Sequence, residues 1–424
     1  MRFEYPRLIF SGPDGKIFDH PSLRLAGRSG GRIVPLNPSE LIPLPKGSQL
    51  FSMPGRTPVG WDEGRGIAVP RTTVNGREVE CTAVAAFLPP GYIRTLLPAT
   101  QLRPHAPALP LWAYSSVGWR DGKFWATGLL VDPNPHWHPR YFGADRLLVR
   151  KVDSSLKREP RNRLLRQLSR CALEYHCFAA KNVFFRRWEC PLPTSPACNA
   201  QCLGCISLQP SECCPASQER IDFVPTVEEV VEVALPHLRE AEDAIVSFGQ
   251  GCEGEPLMEW RLLERSILQL REQTDRGTVN LNTNGSFPDR VARLCDAGLD
   301  SLRVTLSSPH PQFYKRYHRP KGYGFRKVVD SLIRAKEKGI YTSVNLLVFP
   351  GFTDREEEVD GLMDLIRETG LDLIQMRNLN IDPDLYLKVT GPERGMGISR
   401  MIEILKEEFP CLQFGYFNRT RENF

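Results

Sequence analysis

Val183-Phe-Phe-Arg-Arg-Trp188 is followed, ten residues on, by Cys198-Asn-Ala-Gln-Cys202-Leu-Gly-Cys205. The first run reads as a strand. The second is a loop with three thiols in Cys-x3-Cys-x2-Cys spacing and no fourth thiol at the next obvious position. Iron–sulfur clusters ordinarily take four cysteine ligands. A tight triad can hold three irons of a cubane and leave the fourth open to a small molecule. An open position separates catalytic from structural metal sites, an argument made for zinc that carries over by analogy. A zinc knuckle or reduced core thiols is the competing reading. It is disfavoured because Cys213 and Cys214 make no second Cys-x2-Cys pair.

Downstream the chain alternates. Ala244-Ile-Val-Ser-Phe248, Thr278-Val-Asn-Leu-Asn282, Ser301-Leu-Arg-Val-Thr-Leu306, Tyr341 to Phe349 and Leu371 to Met376 read as short apolar strands. Helices lie between them. The capping box Thr226-Val-Glu-Glu229 opens one, and another runs from Leu257 to Arg271. Pro288 starts a helix that Gly298 stops. Two more run from Phe325 to Gly339 and from Asp354 to Gly370. Six strands alternating with five helices predict parallel βαβ units with right-handed crossovers. The expected fold is α/β: a partial (β/α)6 TIM-like barrel over residues 181–380, with a β-rich N-terminal domain over 1–150. Ligand chemistry then collects at the carboxyl ends of the strands, where the cysteine loop falls.

The N-terminal part is rich in Pro and Gly and has no helix-length periodic run. Trp119-Arg-Asp-Gly122-Lys-Phe-Trp and Val74-Asn-Gly76 are hairpin signals. Residues 151–180 read as a basic helical linker. From 151 to 170 there are seven Lys or Arg against two Asp or Glu, with Leu164, Leu165 and Leu168 at helical spacing. A solvated helix is the favoured reading there, a polyanion contact the alternative. Residues 381–424 read as an extension, with a helix from Ile398 to Glu408 and a strand from Leu412 to Tyr416.

Composition is near the globular average, with 41% hydrophobic and 25% charged residues among 424. Net charge is +5, too small at this size to argue nucleic-acid binding. No apolar run approaches a membrane span. Met1-Arg-Phe-Glu-Tyr-Pro lacks the apolar core of a signal peptide. With 12 cysteines, a reducing, cytoplasmic setting is expected, and metal ligands, reactive thiols or core residues rather than disulfides.

On these residues the segment from about 183 to 380 resembles the radical S-adenosylmethionine superfamily. That family carries a Cys-x3-Cys-x2-Cys loop after the first strand of a partial (β/α)6 barrel. The resemblance implies an enzyme with Cys198, Cys202 and Cys205 as ligands of a 4Fe-4S cluster. The cluster would chelate S-adenosylmethionine and reductively cleave it to a 5′-deoxyadenosyl radical that abstracts a substrate hydrogen. Gly249-Gln-Gly-Cys252-Glu-Gly254-Glu255-Pro256-Leu257 resembles the family's Gly-Gly-Glu-Pro motif, with Glu253 in place of the first Gly. It implies that Gly254 lets backbone approach the ligand and that Glu255, beside Pro256, accepts the methionyl ammonium. Asn282, Asn284 and Ser307 are placed to reach ribose or carboxylate. Asn345 and the run Val348-Phe-Pro350-Gly351 resemble adenine-side elements, and Gln375 and Arg377 end the sixth strand. Each polar side chain there needs a partner if buried; satisfying loop backbone is the competing role. The residue before the third cysteine, usually aromatic in the family, is Gly204 here.

The family implies a flavodoxin- or ferredoxin-type electron donor and leaves the substrate open: a peptide, an RNA or a small anionic molecule. A non-catalytic iron–sulfur or zinc-binding protein is the alternative from another class. Cys171, Cys177, Cys190, Cys213 and Cys214 leave a second cluster open, against the plainer reading of buried free thiols. Cys252 lies in a loop expected to face the site and is a candidate catalytic hydrogen-atom donor. Tyr314 to Lys327 interleaves bases with aromatics and could grip an anion, bind nucleic acid or simply lead into a helix. His136-Trp-His138 reads as packing or loop sooner than as a metal site.

Overall fold

The strand feeding the cysteine loop is Arg187–Leu192 (β1), not Val183–Trp188. Val183 and Phe184 are buried in a helix, Phe178–Phe185, that ends at Arg186 in the left-handed conformation. A short run that is apolar on all sides carries no period, so helix and strand look alike in it. A computed structural model describes residues 4–70, 72–74, 77–142, 145–208 and 215–424.

After β1 come β2 (Glu242–Phe248), β3 (Thr278–Thr283), β4 (Ser301–Leu306), β5 (Tyr341–Val348), β6 (Leu373–Asn378) and β7 (Gln413–Gly415). They pair in that sequential order, every neighbour parallel, as one open curved sheet. All six residues of β3 are buried, as a parallel strand covered on both faces requires. The strand expected at Leu412 to Tyr416 is β7, and it joins the six as a seventh. Residues 381–424 are not an appendage: β7 completes the sheet beside β6, whose edge would otherwise be unpaired.

The helices are α1 (Asp145–Arg158), α2 (Arg163–Leu173), α3 (Phe178–Phe185), α4 (Val227–Glu240), α5 (Trp260–Gln273), α6 (Pro288–Asp296), α7 (Pro311–His318), α8 (Phe325–Glu337), α9 (Glu356–Thr369), α10 (Pro383–Thr390) and α11 (Ile398–Glu408). Thr226 and Glu229 make both arms of the capping box on α4. The solvated linker expected over 151–180 is instead α1, α2 and α3 packed on the barrel. Leu164, Leu165 and Leu168 are buried in the same core as β1, β2 and α4. The bases occupy the opposite face, so a basic amphipathic helix and a linker share one composition. No helix among the described residues is long and apolar enough to cross a membrane.

Among the described residues, 7–130 hold strands and one short 3-10 turn, arranged around a mainly antiparallel sheet. Val117–Arg120 pairs with Lys123–Leu130 across Asp121 and Gly122, both at positive φ, as a two-residue hairpin turn demands. Thr72–Val74 pairs with Arg77–Val79; the Asn75-Gly76 turn lies outside the described residues. The β-rich part seats on the barrel rim through buried charges. Arg56 Nη2 donates to Asp382 at 2.6 Å, and Arg28 Nη1 to Asp384 at 2.8 Å. The fully buried Arg94 donates to Leu379 O at 2.7 Å.

Candidate active site

The cysteine loop leaves the carboxyl end of β1 and is fastened from two sides. Gly254 N donates to Ser195 O at 2.7 Å and Glu255 N to Ala197 O at 2.8 Å. From the other side, Gln201 N and Leu203 N donate to the carbonyls of His318 and Tyr317 at the end of α7, each at 3.0 Å. Each of the three thiols has its own nitrogen neighbour. Ala200 N–H donates to Cys198 Sγ. His318 Nδ1 lies 3.4 Å from Cys202 Sγ, and Arg220 Nη2 lies 3.7 Å from Cys205 Sγ. Burial pushes the Cys198 thiol up to about 11 and Cys202 higher still, and the other thiols add to it. Thiols so placed ionise readily only when a cation compensates them. Among the described residues no three His, Cys, Asp or Glu side chains converge closely enough to hold one metal ion. A single zinc, with Zn–S about 2.3 Å, would draw its sulfurs to within about 4 Å of one another. The triad suits a broader, polynuclear group.

The glutamate loop after β2 is braced rather than free. Glu253 is buried, and its Oε2 accepts from Thr194 N at 2.8 Å, Thr194 Oγ1 at 3.1 Å and Ser195 N at 3.2 Å. Its Oε1 accepts from Gly249 N at 2.6 Å. The carboxylate at this position thus ties the end of β1 to the loop after β2. Gly254 is required for a reason different from the one expected: a Cβ there would lie 2.0 Å from Ala197 O. Its close approach is to the cysteine loop. Glu255 caps the 3-10 turn Pro256–Glu259 through Leu257 N at 3.0 Å and also accepts from Thr283 Oγ1 and from Asn284 N at 2.8 Å. Burial raises it to about 7 against those hydrogen bonds. Two carboxylate oxygens offer about four acceptor positions, so one remains.

A cavity of about 500 Å³ opens beneath the cysteine loop at the carboxyl ends of the strands. Cys198, Cys202, Cys205, Cys252, Gly254, Glu255, Pro256, Asn282, Asn284, Asn345 and Arg377 all line it. Ser307 and Gln375 are not among its lining residues. Asn282 is satisfied by Asn280, Phe248 O and Gln250, and Asn284 by Asn199 and Ser286. Gln375 is satisfied by Arg303 and Asn418. Asn282 and Asn284 shape the wall, and Gln375 braces Arg303 behind it. Asn345 Oδ1, Arg377 Nε and Ser307 Oγ are buried without a hydrogen-bond partner. Cys252 Sγ lies 3.0 Å from Cys171 Sγ, and Cys177 lines the same cavity. The contact with Cys171, with burial second, holds the Cys252 thiol far up in its protonated form.

Gly204 has a partner that sequence could not supply. A Cβ there would stand 2.8 Å from Tyr317 Oη and 3.0 Å from Asn380 O. Tyr317 from α7 fills the space. Tyr314 to His318 is therefore helix rather than loop: Tyr314, Tyr317 and His318 are buried, while Lys315, Arg316, Arg319 and Lys321 stay exposed. His136 stacks on Trp188 at 4.3 Å and so serves packing. Cys213 and Cys214 lie outside the described residues. Asn199, Arg220, Arg303 and His318 went unread in the sequence because each lies far along the chain from what it touches, or within a loop of no fixed period.

Residues 192–366 match the family model described as the radical SAM superfamily. The FeMo cofactor biosynthesis protein NifB of Klebsiella pneumoniae is 27% identical over 177 residues, covering 38% of this chain and 37% of that protein. A probable GTP 3′,8-cyclase of Methanosarcina mazei is 29% identical over 194 residues, covering 44% of this chain and 54% of that protein. The matches thus span about half, or less, of those relatives' own length. Streptococcus suis SuiB bound to S-adenosylmethionine is 13% identical, with a TM-score of 0.38 over 65% of this chain and 62% of that one. A likeness that weak carries no argument.

Proposed function

From the premise that residues 192–366 are a radical SAM superfamily domain, we propose that the chain is an enzyme holding a 4Fe-4S cluster on Cys198, Cys202 and Cys205 and binding S-adenosylmethionine in the cavity beneath. When bound, the pair supplies one electron for reductive cleavage of the sulfonium and a carbon radical that abstracts hydrogen from substrate. The observation that carries this reading is the donor set: three thiols, each with its own nitrogen neighbour and two of them strongly desolvated, spread wider than a single ion allows. Hydrogen bonds to ligand sulfurs are among the terms that set a cluster's potential.

The chain's own residues then bind and orient. Glu255, with one acceptor position left and a carboxylate near Cys198 and Cys202, receives the methionyl ammonium. That cation would favour its ionised form against burial. Gly254 and Pro256 fix the loop's path, and Asn282 and Asn284 hold the wall. Asn345 and Arg377 have unused hydrogen-bonding capacity toward a ligand, and the β-rich part covers the rim and excludes water. Cys252, kept protonated beside Cys171, is a hydrogen-atom donor to a substrate radical. A flavodoxin- or ferredoxin-type protein supplies the electron. The names of the two relatives, a cofactor-biosynthesis protein and a nucleotide cyclase, favour a small substrate over a peptide or an RNA.

The test is anaerobic reduction of the reconstituted protein with S-adenosylmethionine. 5′-Deoxyadenosine is expected. Its absence from protein with a verified iron count favours the non-catalytic iron–sulfur alternative. Cys252→Ala should still cleave S-adenosylmethionine but stall product formation; normal product would remove Cys252 from the chemistry.

A further inference from the structure

The cavity wall carries two guanidinium groups with no carboxylate bound to either among the described residues. Arg303 on β4 is 7% exposed. Its hydrogen-bond partners are neutral amides: Gln375 Oε1 at 2.9 Å, Gln250 Oε1 at 3.1 Å and Asn418 Oδ1 at 3.5 Å. Its Nε is buried without a partner. Arg377, two residues beyond Gln375 on the same face of β6, has its Nε buried and unpartnered too. It packs over the Tyr416 ring at 4.0 Å. On the intervening strand β5, Asn345 leaves its Oδ1 unused. All three side chains line the cavity.

Burying one guanidinium without an anion is unfavourable, and a second nearby adds repulsion. Burial, then Arg377, lowers Arg303 to about 9, with Glu189 as the opposing carboxylate. Glu189 Oε1 is itself engaged by Ser247 Oγ at 2.6 Å and Asn418 Nδ2 at 2.7 Å. Arg303 also stands three residues before the end of β4. That puts its Cα about 10 Å below the strand end, at roughly 3.3 Å per residue, and from there its guanidinium reaches Gln250 of the loop after β2.

We propose that Arg303 and Arg377 form an anion subsite within the cavity that takes a carboxylate or phosphate of the substrate. Planar guanidinium forks match either group bidentately. The assignment to substrate rests on the radical reading of the cavity above; the anion subsite itself does not.

Calorimetry on the cluster-loaded full chain tests it, with inorganic phosphate and succinate as probes and S-adenosylmethionine titrated separately. Wild type should bind at least one probe saturably, and which one separates phosphate from carboxylate. Arg303→Gln and Arg377→Gln should each weaken that probe about tenfold or more, with Arg303→Lys between, as loss of a charge-assisted hydrogen bond implies. S-adenosylmethionine affinity should move far less. No saturable binding by wild type, or unchanged affinity in both variants, overturns the proposal. Loss of probe and S-adenosylmethionine binding together also overturns it, because the anion would then be the methionyl carboxylate. If Arg303→Gln does not fold, Arg377→Gln, on a partly exposed residue, decides. A wild type that yields no 5′-deoxyadenosine yet binds the probe through both arginines defeats the radical reading and leaves the anion subsite standing.

Discussion

Gly254 and Glu253 are neighbours in a motif, and each owes its place to the cysteine loop. With 2.0 Å between a would-be Cβ and Ala197 O, Gly254→Ala must push two backbones apart. A cost of about 2–3 kcal/mol is expected, as for other overpacked sites. Thermal unfolding and iron content per chain should both fall; unchanged iron content would contradict the coupling of the two loops. Sequence marked Glu253 as a departure from the family motif without explaining it. The explanation is four hydrogen bonds from β1's end and Gly249, which depend on atoms 58 residues away as well as nearby.

Helices show the same contrast. The box on α4 was legible because its two arms sit three residues apart. Its link to α2 was not: Arg163 Nη2 also pairs with Glu229 Oε2 at 2.8 Å. Burial would raise the Glu229 carboxyl, but the hydrogen bonds from Arg163 and Thr226 outweigh it and hold it at about 2. A carboxyl depressed from 4.5 stabilises the fold above that pH, and the contribution is lost as pH falls toward about 2. Glu229→Gln should cost about 1–2 kcal/mol at neutral pH, with the gap to wild type closing across that window in pH-dependent thermal melts. A constant gap would contradict the assignment. In sequence, the end of α7 stays open between an anion grip and a helix lead-in, because its bases and aromatics alternate at a spacing that suits either.

At the scale of the molecule, the β-rich part and the barrel share a buried polar seam. Asp382 accepts from Arg56 Nη2 at 2.6 Å and Leu109 N at 2.9 Å while capping α10. Asp382→Ala takes the nearer anion from Arg56, itself 2% exposed, and leaves it only Asp384 at 3.5 Å. A loss of about 3–5 kcal/mol is expected in denaturant unfolding; a loss under about 1 kcal/mol would mean that the seam is not load-sharing. Local pattern was enough for the alternating strands and helices, the thiol triad and the Gly-Glu-Pro turn. Each is written in residues within a turn or two of one another, where periodicity and capping act. The pairing of β7 beside β6, the sulfur-facing nitrogens of Arg220 and His318, Tyr317 over Gly204 and the paired guanidiniums of Arg303 and Arg377 needed the folded chain. Their partners lie tens to hundreds of residues apart, and assembling a parallel sheet with its crossovers is what brings them together.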